Sequence, residues 1–279
     1  MRPLKPHFLA MATVSLLALS AASCGSDKDD AAETTAAPAA TQTSAPSATT
    51  SPETTEASTT ASTGGEADYA EYCAAEAAVE QAGSALGDPS EDPKAAATAL
   101  LPLAQAVHDV APAELLPVFD KALAAVKSVL ETGDPSALET VDLNDAHTFD
   151  IDHCGWTTTD VRAQDYKFIG LPDAMVAGTY NFEFTNEGTE PHVFIIVAKK
   201  AGVTESFDDV LASEDAENKV DTVTAAFAPP GGNGHAIAVL EPGEYVALCP
   251  ISKGSTMDTE GSGPPHFTLG MQHKITVTG

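Results

Sequence analysis

The stretch "TYNFEFTNEGTEPHVFIIV", residues 179–197, decides the fold class of the second half of this chain. In its first part Tyr180, Phe182 and Phe184 alternate with polar residues, which is the pattern of a β-strand that buries one face. His192 then opens a run of apolar and β-branched residues that predicts a second strand. A single histidine at the start of a strand is most often a surface residue, so His192 alone assigns no function.

Segments of the same kind recur through the C-terminal part of the chain. Residues 156–279 also contain "VRAQDYKFIG", "HAIAVLEPGEYVALC" and "HKITVTG", which are short alternating runs separated by Gly, Pro and Asn. At least six such strands in about 120 residues predict a β-sandwich domain. The acidic insertion "GVTESFDDVLASEDAENKV" is predicted to carry a helix and a solvated face, because it lacks the Asp/Asn/Gly order of a calcium loop.

Residues 67–155 have helical periodicity instead. In "APAELLPVFDKALAAVKSVLETGD" apolar residues recur at spacings of three and four, and Gly133 suits the end of a helix. Further helices are predicted at "YAEYCAAEAAVEQA", after Pro93 with a break or kink at Pro102, and from Asp134 onward. The sequence therefore predicts an α+β protein with two folded domains, a small helical bundle with few bulky core residues and then the β-sandwich.

The N-terminal segment carries export signals. In residues 1–23 the basic Arg2 and Lys5 precede an apolar run that is too short for a convincing transmembrane helix, which is typical of a secretory signal peptide. The following "LSAASC" resembles a bacterial lipobox, in which the cysteine, here Cys24, is lipidated and becomes the new N-terminus. Residues 24–66, rich in Thr, Ser, Pro and Ala, are predicted to form a disordered tether. We expect a lipid anchor on the extracytoplasmic face of the cell membrane, with ordinary secretion as the alternative.

The charge balance excludes one class of partner. The chain has 13 basic and 41 acidic residues, and the signal peptide contains two of the basic residues and no acids. The remainder therefore carries a formal charge of −30. Such a chain is not expected to bind nucleic acid or anionic lipid head groups through charge, so its membrane attachment depends on the lipid.

Three cysteines remain beyond Cys24. In an exported protein pairs usually oxidise, and a bond between Cys73 and Cys154 would staple the thin helical core. This predicted pairing leaves Cys249 unpaired. Cys249 is then either a buried inert thiol or a thiolate metal ligand; alternatively it pairs with Cys154 and leaves Cys73 free.

Three motifs in residues 160–279 resemble the cupredoxins, the plastocyanin-like blue copper proteins. "NEGTEPHVFII" resembles the first histidine region of that family, where Pro and His, here His192, begin a strand. "PGEYVALC" resembles the strand that delivers the cysteine, here Cys249, and "HFTLGMQHKITV" resembles the segment with His266 and Met271 that runs into the last strand. The helical part is similar only to N-terminal segments of exported actinobacterial lipoproteins.

The resemblance implies a cupredoxin-like Greek-key β-sandwich that binds one copper ion and transfers single electrons. His192 and His266 would be the imidazole ligands, Cys249 the thiolate and Met271 the weak axial thioether, which is the donor set of a type 1 copper site. The redox or copper-exchange partner is not indicated by the sequence.

One feature departs from the family pattern. Residues 250–265 separate Cys249 from His266, where the family has a much shorter connection. A loop can return to its starting point at little entropic cost, and Met257 within it could serve as an axial ligand. A metal-free binding or structural module and a copper storage or delivery protein therefore remain alternatives to electron transfer.

The rest of the chain shows no second site. Neither a second set of copper ligands nor a nucleophile constellation is visible, so an enzymatic function is not predicted. The remaining histidines of the folded segments are predicted to lie at the surface, on helices or near strand ends: His108, His147, His235 and His273, with His153 a minor candidate ligand.

Overall fold

The computed structural model describes residues 69–85, 92–164 and 166–279. The predicted signal peptide, Cys24 and the whole of the predicted tether, residues 24–66, lie outside the described residues. In the described part of the chain no helix combines the length and the apolar character needed to cross a membrane.

Five α-helices occur in the described residues: α1 (Ala70–Ala85), α2 (Pro93–Val110), α3 (Leu116–Thr132), α4 (Asn144–His153) and α5 (Phe207–Ala212). Short 3-10 helices span Pro135–Thr140, Ala216–Asn218 and His266–Leu269. Capping residues explain where α2 begins and where α3 ends. The Asp92 carboxylate accepts a hydrogen bond from the Ala95 amide at 3.0 Å, and Gly133 ends α3 with a φ of 77°, which favours glycine.

Of the predicted break or kink at Pro102, the break does not occur, because α2 is a single element that runs through this residue. Proline removes one helical hydrogen bond, but Ala97 of α2 packs with Val126 and Val129 of α3 in a shared apolar cluster. Tertiary packing of this kind outweighs local helix propensity. The segment after Asp134 forms a 3-10 helix instead of an α-helix.

A disulfide joins the first helix of this region to its end. Cys73 of α1 is bonded to Cys154, which follows α4, so the predicted pairing is confirmed. Among the described cysteines only Cys249 is free, and it is buried. The bridge fixes α1 to the segment that leads into the sandwich.

The core of the helical region mixes aromatic rings with carboxyl groups. The ring of Tyr72 lies against Phe119 and Phe149, with centroid separations of 6.0 and 5.5 Å. Glu76 and Asp150 are buried beside them, with exposures of 5% and 2%. Burial raises the pKa of Asp150 to about 7 and that of Glu76 well above its usual value, because the charged form loses its hydration.

Nine strands form the sandwich in the described residues: β1 (Thr157–Gln164), β2 (Lys167–Ile169), β3 (Ala174–Val176), β4 (Gly178–Asn186), β5 (His192–Lys199), β6 (Val220–Ala228), β7 (Asn233–Leu240), β8 (Gly243–Leu248) and β9 (Gln272–Thr278). One sheet has the order β2-β1-β4-β7 and the other β3-β9-β8-β5-β6. Strands β1 and β4 pair in parallel, as do β3 and β9, whereas the remaining pairs are antiparallel.

The chain crosses between the sheets at five connections: from β2 to β3, β3 to β4, β4 to β5, β6 to β7 and β7 to β8. These crossings give the Greek-key sandwich that the sequence predicts. The predicted fold class, a helical region followed by a β-sandwich of two sheets, is confirmed. The helix expected in the acidic insertion is also present, as α5.

The core of the sandwich contains the inward-facing aromatic side chains of residues 179–197. Phe182 and Phe184 of β4 are fully buried, and their rings lie 5.2 and 5.8 Å from that of Phe194 in β5. Strand β5 is buried from His192 to Val197 because it lies between β6 and β8 in the second sheet. At its start His192 lies opposite Ala228 of β6.

The helical region packs directly on the sandwich, and both belong to one compact unit. The Nε2 atom of His147 in α4 lies 2.7 Å from a carboxylate oxygen of Glu183 in β4. Its ring stacks on that of His235 in β7 at 3.6 Å, and burial lowers the pKa of His235 to about 4. The prediction that His147 and His235 lie at the surface is wrong, because the sequence does not reveal which face of the sheet the helices cover.

Replacing both Cys73 and Cys154 by Ser is expected to destabilise the protein, because the bridge joins residues 81 positions apart. A loop of this size gives a loss of up to about 4 kcal/mol. Trp156, the single tryptophan, packs against the helical core. Urea unfolding followed by its fluorescence therefore measures the effect, and an unchanged midpoint would contradict it.

Raising the pH from about 4.5 to about 7 is expected to lower the free energy of unfolding of the helical region. Asp150 and Glu76 hold their protons more tightly in the folded protein than in the unfolded chain. The stability they contribute is complete below the unfolded carboxyl pKa of about 4 and is lost as the pH rises through their folded pKa values. Trp156 fluorescence in urea at several pH values measures this slope.

Two variants of α4 provide the matched control for this pH dependence. Asp150→Asn removes a buried carboxyl and is expected to flatten the slope. Asp152→Asn removes an exposed carboxyl from the same helix and is expected to leave the slope unchanged. Equal slopes for the two variants would show that the buried carboxyl is not the cause.

Candidate metal centre

The loop between β4 and β5 fixes the position of His192. At the end of β4 the buried side chain of Asn186 donates hydrogen bonds to the carbonyl oxygens of Glu190 and Ala228, at 2.8 and 3.0 Å. Its Oδ1 atom accepts a third from the Gly188 amide at 2.8 Å. This single side chain holds the turn closed, so the chain enters β5 with His192 directed inward and only 1% exposed.

Gly188 allows the close approach of this loop to the histidine. A Cβ atom at position 188 would lie 2.9 Å from Nε2 of His192 and 3.2 Å from Oδ1 of Asn186. A side chain at position 188 would therefore push the His192 ring or the Asn186 side chain out of place. Glycine at this position lets the loop pack closely against the His192 ring.

Cys249 follows β8, which is hydrogen-bonded to both β5 and β9. Its side chain is fully buried, and its Sγ atom accepts a hydrogen bond from the Val193 amide at 3.4 Å. Because Val193 follows His192, the same turn of backbone places the thiol and the first imidazole side by side.

The long connection after Cys249 returns to its starting point. The Phe267 amide donates to the Cys249 carbonyl at 2.9 Å, and the His266 amide donates to the Ile251 carbonyl at 2.8 Å. These bonds close the base of the loop 250–265. The length of the loop therefore does not move Cys249 or His266 away from the site. The departure in sequence length therefore does not separate Cys249 from His266.

Met271 lies at the same end of the sandwich and is fully buried. Its amide donates to the His266 carbonyl at 3.1 Å, and its carbonyl accepts from the Cys249 amide at 3.1 Å. The backbone thus ties the thioether residue to two of the other candidate ligands. Met257, the alternative thioether, is 53% exposed on the loop.

Three candidate ligand atoms form a triangle. The Nδ1 atoms of His192 and His266 lie 3.2 Å apart, and Sγ of Cys249 lies 3.9 Å from the first and 3.5 Å from the second. The point in their plane that is equidistant from the three atoms lies about 2.1 Å from each, within the ~2.0–2.3 Å range of metal–nitrogen and metal–sulfur bonds. The triangle therefore has the size that a trigonal metal ion needs.

Burial sets the protonation of these groups in the metal-free protein. Loss of hydration raises the pKa of the Cys249 thiol to about 12, while hydrogen bonds from backbone amides act in the opposite direction. Burial also lowers the pKa of His266, which favours the neutral ring that a metal ligand requires. Binding a metal at Cys249 therefore requires release of the thiol proton.

Glu190 and Tyr166 complete the site, and the sequence reasoning missed both. One carboxylate oxygen of Glu190 lies 3.0 Å from Nε2 of His266 and accepts from the Gly254 amide at 2.8 Å. The other accepts from the Tyr166 hydroxyl at 2.9 Å, and the Tyr166 ring lies 4.7 Å from that of His266. The only sequence signal was the acid in "EPH", directly before the Pro-His pair.

Other histidines of the described chain lie away from this site. His153 packs on Phe149 in the helical region, with ring centroids 4.2 Å apart. His273 lies 3.3 Å from an Asp173 carboxylate oxygen. Within the described residues His192, Cys249 and His266 are the one group of three His, Cys, Asp or Glu side chains that could hold a metal ion.

The chemistry of the donor set selects among metals. Two imidazole nitrogens and one thiolate in a trigonal arrangement, with a thioether residue adjacent, are the ligands that copper prefers in both of its oxidation states. All four side chains are at most 1% exposed, which excludes water from the donors. The cluster is suited to one copper ion.

No family model matches the chain, and no curated protein matches it. Similar solved structures include dithionite-reduced auracyanin from the photosynthetic bacterium Roseiflexus castenholzii, with 21% identity over 44% of this chain and 98% of that chain and a TM-score of 0.31. Auracyanin A, a "blue" copper protein from Chloroflexus aurantiacus, has 19% identity over 44% and 100%, with a TM-score of 0.30. Reduced rusticyanin has 23% identity over 44% and 80%, with a TM-score of 0.26.

At these identities and TM-scores the similarities assign no role to any residue. The strand order of the sandwich and the convergence of His192, Cys249 and His266 at one end of it are observations on this chain itself.

Proposed function

We propose that this protein binds one copper ion through Nδ1 of His192, Nδ1 of His266 and Sγ of Cys249, with the Met271 thioether as a weak axial ligand, and that it carries single electrons. The observation that supports this most directly is the triangle of three buried ligand atoms with sides of 3.2, 3.5 and 3.9 Å. Such a set needs little rearrangement to accept a trigonal metal ion.

Hydrogen bonds within the chain hold the candidate donors in fixed positions, as rapid electron transfer requires. Copper supplies the one-electron couple. Asn186 holds the His192 loop, the Val193 amide donates to Cys249, and the loop-base hydrogen bonds fix His266. Because backbone and buried side chains fix every donor, the site has little freedom to change its geometry between the two oxidation states.

The burial of the donors favours electron transfer over copper delivery. A delivery protein has to release its ion to a partner's ligands, which requires donors that the partner can reach. The most exposed of the four donor side chains is 1% accessible. A metal-free structural role leaves the convergence of three ligand atoms and a buried thioether without an explanation.

We also propose that the protein is anchored by a lipid on Cys24 at the extracytoplasmic face of the cell membrane. The basic residues, apolar run and small residues before Cys24 support this, as does the Thr/Ser/Pro-rich segment that follows. The centre would then exchange electrons or copper with a partner outside the cytoplasm, held near the membrane by residues 24–66.

Copper-loaded protein is expected to absorb strongly in the visible, because a copper–thiolate bond gives an intense charge-transfer band. Cys249→Ser should abolish this band. Met271→Leu should keep the band and raise the reduction potential, because loss of a weak donor destabilises Cu(II) more than Cu(I). Visible spectra, metal analysis and redox titration of the purified variants measure these effects.

His192→Ala and His273→Ala form a matched pair for this test. The first removes a donor of the triangle and is expected to abolish the band, whereas the second removes a histidine that contacts Asp173 and should keep it. Colourless wild-type protein that binds no copper would refute the proposed function, and colourless protein that retains Cu(I) would favour delivery.

Cys24→Ser is expected to move the protein from the membrane fraction to the medium in a native-like host. The substitution removes the only thiol available for the lipid at the end of the signal peptide. Fractionation followed by immunodetection checks this result, with Cys249→Ser as the cysteine control that should stay in the membrane fraction. Identical fractionation of Cys24→Ser and wild type would exclude the anchor.

A further inference from the structure

The two ring nitrogens of His266 contact different groups. Nδ1 lies 3.5 Å from Sγ of Cys249 and 3.2 Å from Nδ1 of His192, on the side of the candidate metal position. Nε2 lies 3.0 Å from a carboxylate oxygen of Glu190. The ring is therefore held between the donor triangle and a carboxylate.

This arrangement specifies where the ring proton resides. A carboxylate is an acceptor only, so a hydrogen bond at 3.0 Å requires Nε2 of His266 to carry the hydrogen. In a neutral imidazole the other nitrogen is then an unprotonated acceptor, and here it faces Sγ of Cys249 and Nδ1 of His192. Nδ1 is therefore prepared to bind a metal before any metal arrives.

Glu190 is itself held in place from three directions. The Tyr166 hydroxyl donates to one of its oxygens at 2.9 Å, and the Gly254 amide donates to the other at 2.8 Å. Its backbone carbonyl accepts from Asn186 at 2.8 Å. The carboxylate cannot turn away from His266 without breaking hydrogen bonds to two other segments of the chain.

Tyr166 is positioned for this contact at a cost in backbone strain. It is the one described non-glycine residue with a positive φ, 65°, a left-handed conformation that is strained in a bulky residue. Its ring lies 4.7 Å from the His266 ring, and its hydroxyl reaches Glu190. Strain that persists beside a functional group indicates that the surrounding structure requires the contact.

We propose that Glu190 is a positioning residue that fixes the tautomer of His266, strengthens Nδ1 as a donor and lowers the reduction potential of the centre. The inference rests on the proposed copper-binding function. A carboxylate hydrogen-bonded to the far nitrogen of a ligating imidazole makes the ring a stronger electron donor. A stronger donor stabilises Cu(II) more than Cu(I), so the potential falls.

The test compares Glu190→Gln with Glu187→Gln. Both remove one negative charge from the same loop, but the side chain of Glu187 contacts Arg162 and Gln164 and not the candidate ligands. Glu190→Gln is expected to weaken Cu(II) affinity about 10–100-fold and to raise the reduction potential. Glu187→Gln is expected to change both far less.

A measurement without metal separates this inference from the proposed function. Ring nitrogen NMR of the metal-free wild type should show Nε2 of His266 protonated and Nδ1 unprotonated. Glu190→Gln should mix the two tautomers, because an amide can donate as well as accept. If wild type binds no copper, the proposed function fails while these spectra still decide the role of Glu190.

Tyr166→Phe provides a second variant in case Glu190→Gln folds poorly. It keeps the ring against His266 and removes one of the hydrogen bonds that hold the Glu190 carboxylate in place. The carboxylate is then held less firmly on His266, so the potential should rise, in the same direction as in Glu190→Gln but by less. Tautomer, affinity and potential that are the same in Glu190→Gln and Glu187→Gln, or an unshifted potential in Tyr166→Phe, would overturn the inference.

Discussion

Two backbone hydrogen bonds at the base of the loop 250–265 determine whether the candidate donors meet. The amides of Phe267 and His266 donate to the carbonyls of Cys249 and Ile251. Without them, the long connection after Cys249 would let His266 lie anywhere within reach of the chain. With them, the loop adds only the slowly growing entropy of closure, a fraction of a kcal/mol for each doubling of length. The donor triangle depends on this closure as much as on the strand order.

The strand pattern and the order of the donors could be predicted because their causes are local. Alternation in β4, the Pro-His pair before β5 and the His-to-Met spacing before β9 are visible as neighbouring letters. The Cys73–Cys154 disulfide could be predicted because the N-terminal segment has the pattern of an export signal and because a helical core with few bulky residues is stabilised by a covalent link. Each inference needed only residues close in sequence or a count of cysteines.

The features that escaped prediction depend on contacts between distant segments. Glu190 reaches His266 and Gly254 across the turn, and nothing in "TEPH" specifies those partners. His147 and His235 are covered because the helices lie on a sheet whose exposed face the sequence does not identify. Pro102 remains within a helix because packing against α3 outweighs the loss of one hydrogen bond. In each case tertiary structure overrides a correct local preference.

The complete burial of Cys249 has a chemical consequence beyond the donor geometry. Thiolates, and not thiols, react with oxidants and alkylating agents, and reaction also requires access. A sulfur with no exposed surface and a pKa raised to about 12 satisfies neither condition. A chain that has not yet bound metal is therefore protected at this position from forming sulfenic acid or a mixed disulfide under oxidising conditions. The packing that positions the three ligand atoms therefore also shields Sγ of Cys249 from chemical modification.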